Sequence, residues 1–339
     1  MKKIGILFGM ENTFPYAFVD RVNELKGSDD IIAEPVLIGK VEQAVDSGYD
    51  VIIDRISQDV PFYRAFLKNA ALCGTAVINN PFWWSADEKF FNNCLAVKLG
   101  IPVPKTVLLP SKERPDDTSE TSFRNLKFPM EWNEMFSRIG FPAYMKPHSG
   151  GGWKSVYKVT GQDDLWAKHE ETGQLVMMLQ EEIVFTDYYR CYCLNGKNVR
   201  IMPYEPRNPA HLRYAAQPNT AGPAYAKLLK QMEDYTIKLN KALGYDFNTV
   251  EFAVRDGIPY AIDFCNPAPD ADAYSVGSEN FEWVVDQAAK MALERLKKLK
   301  PGQNNCTWGT YMQSSVTKTE LDILAGKKPA TKRKTPVKK

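Results

Sequence analysis

"GFPAYMKPHSGGGWKSVYKV", residues 140–159, sets three consecutive glycines between two apolar, strand-like runs. Without Cβ atoms, successive backbone N–H groups can point into one concavity, which suits phosphate oxygens. Lys146 closes the run "AYMK", so its ammonium falls beside that concavity. The GxxxxGK[ST] spacing of a Walker loop is absent. Taken alone, Ser149, Gly150, Gly151 and Gly152 also read as a flexible hairpin turn with a bystander lysine. The order of the features downstream decides between the two.

"LQEEIVFTDYYR", residues 179–190, follows about thirty residues later as a strand that ends in acids and runs into a connector. Such a connector suits a purine hinge. Backbone groups would meet the adenine edge, and Asp187 would accept from ribose hydroxyls. A solvated acidic strand end is the plainer account of the same residues. Next comes the hairpin "TVEFAVRDGIPYAIDFCNP", residues 249–267, turning at Asp256-Gly257. It carries Glu251 on one strand, and Asp263 then Asn266 on the other. Oxygen-only ligands on adjacent strands are what Mg²⁺ requires, with phosphate oxygens completing an octahedron. Acids alternating with apolar neighbours also describe a solvent-facing strand. Asn266-Pro267 closing the strand favours the metal.

Upstream, the first eighty residues alternate strand and helix signals. "KIGILFG", "AEPVLIG", "YDVIIDRI" and "TAVINN" read as strands, with "FPYAFVDRVNEL", "VEQAVDSG" and "YRAFLKNAALCG" between them. That order predicts a parallel α/β layer. The lack of GxGxxG after the first strand argues against a dinucleotide fingerprint. A helix capped by Ser85 and closed by Gly100 leads into "TVLL". Residues 111–129 read as a loop, and 223–243 and 280–299 as long helices. A second hairpin turns at Asn195-Gly196. The chain is thus α/β followed by α+β.

Composition sets bounds. The chain has 339 residues, 44% hydrophobic and 25% charged, with a net charge of +2. No apolar run approaches the ~18 residues of a membrane helix, and the first residues are too short an apolar run for a signal peptide. The six cysteines form no CxxC pair, which predicts reduced, buried or half-buried thiols and a cytoplasmic protein. The last thirteen residues, "KKPATKRKTPVKK", carry seven positive charges and no acid, leaving the body at −5. Nucleic acid is therefore expected only through this tail, if at all. The tail offers no apolar face to bury, which predicts disorder. Truncation after Gly326 is expected to leave both the melting temperature and turnover unchanged. A marked fall in either would show that the tail packs on the body.

Taken together, these segments resemble the ATP-grasp superfamily, in particular its glutathione-synthetase and ribosomal-protein glutamate-ligase branch. The matching order covers roughly residues 80–270. The resemblance implies a parallel α/β pre-ATP-grasp layer at 1–84 and a small lobe with the glycine loop at 85–185. A large lobe with the metal hairpin follows at 186–326, and the basic tail at 327–339. "DEKFFNNCLAVKLGIPVPKTVLL" resembles the family's entry segment, so Lys89 would contact nucleotide phosphates. Lys146 would hold the α/β-phosphates beside Ser149, Gly150, Gly151 and Gly152. Glu181, Glu182 and Ile183 would form the adenine hinge, with Asp187 at the ribose. "DYYRCYCLNGKNV" resembles the family's strand pair that carries Arg190, and Arg207 and Arg213 compete as the γ-phosphate arginine, with Arg213 favoured. Glu251, Asp263 and Asn266 would bind Mg²⁺, with Mn²⁺ as a substitute. The family usually spaces its last two ligands two residues apart. Here they are three apart, so a bulge or the strand end must realign them.

The implied chemistry joins a carboxylate to an amine, both small molecules, through an acylphosphate at the expense of ATP, acting on an amino acid or small peptide. The rival is a nucleotide-binding scaffold that kept the fold and lost turnover. A homodimer is the oligomer to test for.

Overall fold

The computed structural model describes residues 1–82, 88–151, 153–215, 217–219, 221–300 and 305. The expected Ser85 cap, the boundary at residue 84/85, Gly152 and the basic tail lie outside these residues.

Among the described residues, three four-stranded sheets organise the fold. The first is parallel, in the order β2 (Ile31–Pro35), β1 (Lys2–Leu7), β3 (Val51–Asp54), β4 (Ala76–Ile78). Its strands are short and apolar, as expected where both faces are covered. Helix α1 (Phe14–Leu25) lies on one face through Phe14, Phe18 and Val22, and α2 (Pro61–Leu72) on the other through Phe66, Leu67 and Ala71. Two details differ from the sequence reading. β2 begins at Ile31 and ends at Pro35, earlier than "AEPVLIG" suggested, and residues 41–48 form no helix. Gly48 and Ala44 both have positive φ there, and a polar eight-residue stretch holds too few apolar positions to anchor a helix.

The second sheet is antiparallel, in the order β5 (Thr106–Leu109), β8 (Met177–Glu181), β6 (Ala143–Pro147), β7 (Tyr157–Val159). Helices α4 (Trp132–Ile139) and α5 (Gln162–Glu170) cover one face, burying Ala143, Met145, Val159, Met177 and Leu179. Alternation turns Tyr144 and Lys146 to the other face. The preceding helix, α3 (Lys89–Lys98), was expected with this lobe. Its Ala96, with Ile101, packs instead in the core of the third sheet.

The third sheet runs β10 (Asn198–Pro203), β9 (Asp187–Leu194), β11 (Phe247–Arg255), β12 (Ile258–Asp263). Its two hairpins turn where the sequence placed them, with positive φ at Asn195, Gly196, Asp256 and Gly257. Helix α6 (Gly222–Leu243) buries Leu228, Met232, Leu239 and Leu243 against one face. Helix α8 (Ser278–Lys298), preceded by the short α7 (Ala273–Val276), fills the space between the first and third sheets. There Val284, Val285, Ala288 and Ala292 share a core with Ile4, Phe14, Tyr192 and Phe247. Each buried Val or Phe in that core contributes about 1.5–3 kcal/mol, so the parallel layer is fastened to the third sheet. Among the described residues no helix is long and apolar enough to cross a membrane. The described cysteines are free thiols: Cys191, Cys193 and Cys265 are buried, Cys73 half-buried and Cys94 exposed.

Candidate active site

A β-bulge decides which side chains meet. From Arg255↔Ile258 to Phe252↔Ala261, β11 and β12 pair in regular register, and the next pair is Glu251↔Asp263. One extra residue, Ile262, therefore sits on β12. Without it Ile262 would oppose Glu251. With it, Asp263 does, and directly opposed residues share a face. On its other side Glu251 opposes Arg190 of β9. Arg190, Glu251 and Asp263 thus form one row across three strands. This bulge lies before both Asp263 and Asn266, so it aligns Asp263 with Glu251 and leaves the spacing between Asp263 and Asn266 as the sequence shows it.

Two lysines reach this row from other elements. Lys89, the first residue of α3, places its Nζ 3.3 and 3.2 Å from the two Asp263 oxygens. Its backbone N–H donates to His148 O at 2.7 Å, which ties the helix start to the base of the glycine loop. Lys146 stands two residues before that carbonyl, half-buried on the open face of the second sheet. Desolvation, reinforced by the charge of Lys89, pushes the Lys146 ammonium down to about 8, with Asp263 and Glu251 pulling the other way. Burial also opposes charge on Lys89, but Asp263 outweighs it and the ammonium is held above its ordinary value. Desolvation drives the Glu251 carboxyl up against the opposing pull of Arg190, with Asp263 adding to the rise. For Asp263 desolvation is overcome by Lys89 and Lys146, so it is held below the usual carboxylate range. Of the facing pair, Asp263 carries the firmer negative charge.

Behind the row lies a tyrosine wall that the sequence reading missed. Tyr188 donates to Glu251 Oε2 at 2.7 Å. Arg190 donates to Tyr214 Oη at 2.7 Å, approaches Glu251 at 3.5 Å, and lies over the Tyr204 ring at 5.8 Å. Tyr188 stands two residues from Arg190, so period-2 alternation alone would have put it on the same face. Tyr214 has no such local signal.

Of the two rival arginines, Arg207 is committed to both Glu205 oxygens, at 2.7 and 2.6 Å, and stacks over Phe185. Arg213 donates to Asn208 O and Tyr204 Oη, and through Tyr204 it adjoins Arg190. The structure thus brings Arg213, rather than Arg207, towards the row.

The side chains of the expected hinge have partners within the protein. Glu181 accepts from Arg255 Nη1 at 2.8 Å and from the Lys105 N–H at 3.2 Å. Glu182 pairs with Lys158 at 2.7 Å, and Ile183 is buried. Asp187 is not brought to the row. It opposes Val254, which faces the α6 core, and its carboxylate accepts the Asn219 N–H at 2.6 Å. Alternation therefore sets it on the opposite face from Arg190 and Glu251, away from the row. Ser149, Gly150 and Gly151 follow β6 as open loop. A Cβ at either glycine would meet nothing within 4 Å, and Gly150 has φ +85°. His148 is anchored to Val176 O through both its backbone N–H and its ring Nδ1.

Asn266 lies just beyond β12, its N–H donated to Asn248 Oδ1 at 2.7 Å. Among the described residues no three His, Cys, Asp or Glu side chains gather into a metal cage. The donor set on this strand pair is the two facing carboxylates of Glu251 and Asp263. Mg²⁺ takes one or two carboxylates together with phosphate oxygens rather than an all-protein cage, so the residues present fit it.

No protein-family model matches the chain. In sequence it is similar to D-alanine–D-alanine ligase of Clostridium botulinum, at 25% identity over 38% of this chain and 46% of that protein. It is also similar to acetyl-CoA carboxylase of Dictyostelium discoideum, at 28% identity over 40% of this chain and 6% of that protein. The chain spans less than half the length of these curated relatives. In structure it is similar to a RimK domain ATP-grasp protein from Sphaerobacter thermophilus, with TM-score 0.60, 16% identity, and coverage of 87% of this chain and 99% of the other. It is likewise similar to D-alanine–D-alanine ligase from Bacillus anthracis complexed with ATP, with TM-score 0.57, 17% identity, and coverage of 88% and 98%. The chain has the ATP-grasp fold.

Proposed function

We propose that the protein is an ATP-dependent carboxylate–amine ligase. The observation that carries this reading is the meeting of Lys89 and Lys146 with the Arg190–Glu251–Asp263 row. Cations on one side and carboxylates on the other face the same space, below an open glycine loop. The similarity to D-alanine–D-alanine ligases supports the same class of reaction.

In the proposed reaction, a substrate carboxylate oxygen bonds to the γ-phosphorus of ATP while the bond to the ADP oxygen breaks. An amine then attacks the acyl carbon of the acylphosphate. Phosphate leaves, the amine loses a proton, and an amide remains. Such transfers need positioning and charge neutralisation more than acid–base groups. Lys146 and Lys89 neutralise phosphate oxygens, and Arg190, with Arg213 beside it, faces the transferred group. Glu251, Asp263 and Asn266 would hold Mg²⁺ or Mn²⁺. Bound there, the metal would supply charge neutralisation for the phosphates. Tyr188 and Arg190 oppose the desolvation that pushes the Glu251 carboxyl up. A small amino acid or peptide is the proposed carboxylate.

Incubation with ATP, Mg²⁺ and a pooled amino-acid and peptide mixture is expected to release ADP and phosphate together and to yield an amide detectable by mass spectrometry. Nucleotide binding without ADP release in any pool would favour a scaffold that binds and does not turn over.

A further inference from the structure

The segment after β12 carries Asn266 but has no strand partner. Backbone groups there must find side-chain partners or stay unpaired. Asn248, fully buried, donates to Phe264 O at 2.8 Å and accepts from Asn266 N at 2.7 Å. The next two holds come from the parallel layer. Asn79, just past β4, donates through Nδ2 to Pro267 O at 2.9 Å and to Phe247 O at 2.7 Å. Its Oδ1 accepts from Asp246 N at 2.9 Å and Phe247 N at 2.8 Å. Arg55, just past β3, donates to Pro269 O at 2.5 Å. The Arg55 guanidinium is fixed by Glu11 and sandwiched between the Phe14 and Phe247 rings at 5.0 and 4.9 Å. Both Asn79 and Arg55 are buried, and the buried amide of Asn79 uses its full donor and acceptor capacity.

We infer that Asn79 and Arg55 are positioning residues that hold Asn266 in place through the backbone of Pro267 and Pro269. The parallel layer thereby sets the geometry of the oxygen-ligand strand in the neighbouring sheet. This rests on the reading of Asn266 as a metal-holding residue. Asn79 grips the start of β11 and the end of the β12 segment at once, so it also fixes the spacing between the two arms of the hairpin that carries Glu251 and Asp263. Nothing in the local sequence "VINNP" signals this, because the partners lie 167 to 188 residues away.

Asn79→Asp separates the two functions of the side chain. The carboxylate keeps an acceptor for Asp246 and Phe247 N–H but loses both donors and faces two carbonyls. In nucleotide-free protein, hydrogen exchange at the Asn266 amide is expected to quicken while residues 249–254 stay protected. Unchanged exchange at Asn266 overturns the positioning role. In the second measurement ADP affinity is titrated with and without Mn²⁺. The variant is expected to lose about tenfold of the Mn²⁺-dependent gain, the scale of an outer-shell partner, with metal-free affinity unchanged. Equal losses in both titrations would show a purely structural contact and overturn the inference. A wild-type protein that gains nothing from Mn²⁺ would sink the metal reading of Asn266, and the exchange measurement would still judge the positioning. Arg55→Lys, which keeps the charge beside Glu11 but loses the reach to Pro269, is held to the same two readouts should Asn79→Asp fail to fold.

Discussion

Asp263→Asn is expected to abolish turnover while leaving the protein folded. Asparagine matches aspartate in shape, so the bulge at Ile262 and the opposition to Glu251 are preserved. What goes is the firmer of the two facing negative charges, the one that Lys89 and Lys146 hold ionised. Loss of an outer-shell partner of a metal ligand costs about 10–100-fold in affinity or activity. On the proposed reading Asp263 is itself a metal-holding carboxylate, so its loss should exceed that range. The check is steady-state ADP release over a wide Mg²⁺ range, with a thermal melt alongside. A melt near that of the wild type, with no turnover at any Mg²⁺ concentration, supports the assignment. Full activity in a folded Asp263→Asn protein would remove Asp263 from the machinery and move the argument towards a nucleotide-binding scaffold.

Why the sequence does not show that Asp263 joins the row and Asp187 the opposite face has a physical answer. Patterns of local origin were legible: the helix over Phe14–Leu25, the hairpin turns at Asn195-Gly196 and Asp256-Gly257, and the strand that carries Lys146. Each is written in a few neighbouring residues. Facing across strands is not. Asp187 and Arg190 are three apart, so alternation sends them to opposite faces, and only the pairing of Asp187 with Val254 shows which face holds the α6 core. The odd spacing of Asp263 and Asn266 asks for a bulge or the strand end between them, whereas the bulge present lies before Asp263, at Ile262, on a register shift that no local signal marks. Asn79, Arg55 and Asn248 were invisible for a related reason. Each is a long-range satisfier of backbone groups in a segment without a ladder, and polar residues near strand ends look like ordinary loop. The helix expected over 41–48 failed in the opposite direction, where alternation of strand and helix was projected onto a stretch too polar and too short to pack.

Replacement of Lys146 by methionine is expected to weaken nucleotide binding by about 1.5–3 kcal/mol, the range of a charge-assisted contact, or roughly ten- to more than a hundredfold. The pH dependence gives the sharper test. In the free protein the Lys146 ammonium titrates at about 8 because of desolvation and the nearby Lys89. Phosphate anions favour the protonated form, so binding raises that pKa. Affinity in the wild type should be flat below pH 8 and fall as pH rises through it. In Lys146→Met this fall should vanish, leaving a weak, level affinity. Stability runs the other way. The folded value lies below the ordinary lysine value of 10.5, so between the two the unfolded chain binds more protons and the fold gains stability as pH rises. At neutral pH the charged lysine is a strain that methionine relieves, and the variant should melt no lower than the wild type. Calorimetric titration with ADP from pH 6.5 to 9.5, paired with thermal melts, measures both. A Lys146→Met protein that keeps the wild-type affinity, or keeps its fall above pH 8, would show that another group receives the phosphates. Weaker binding combined with a higher melting temperature would identify Lys146 as a charge held in an unfavourable place because the nucleotide needs it there.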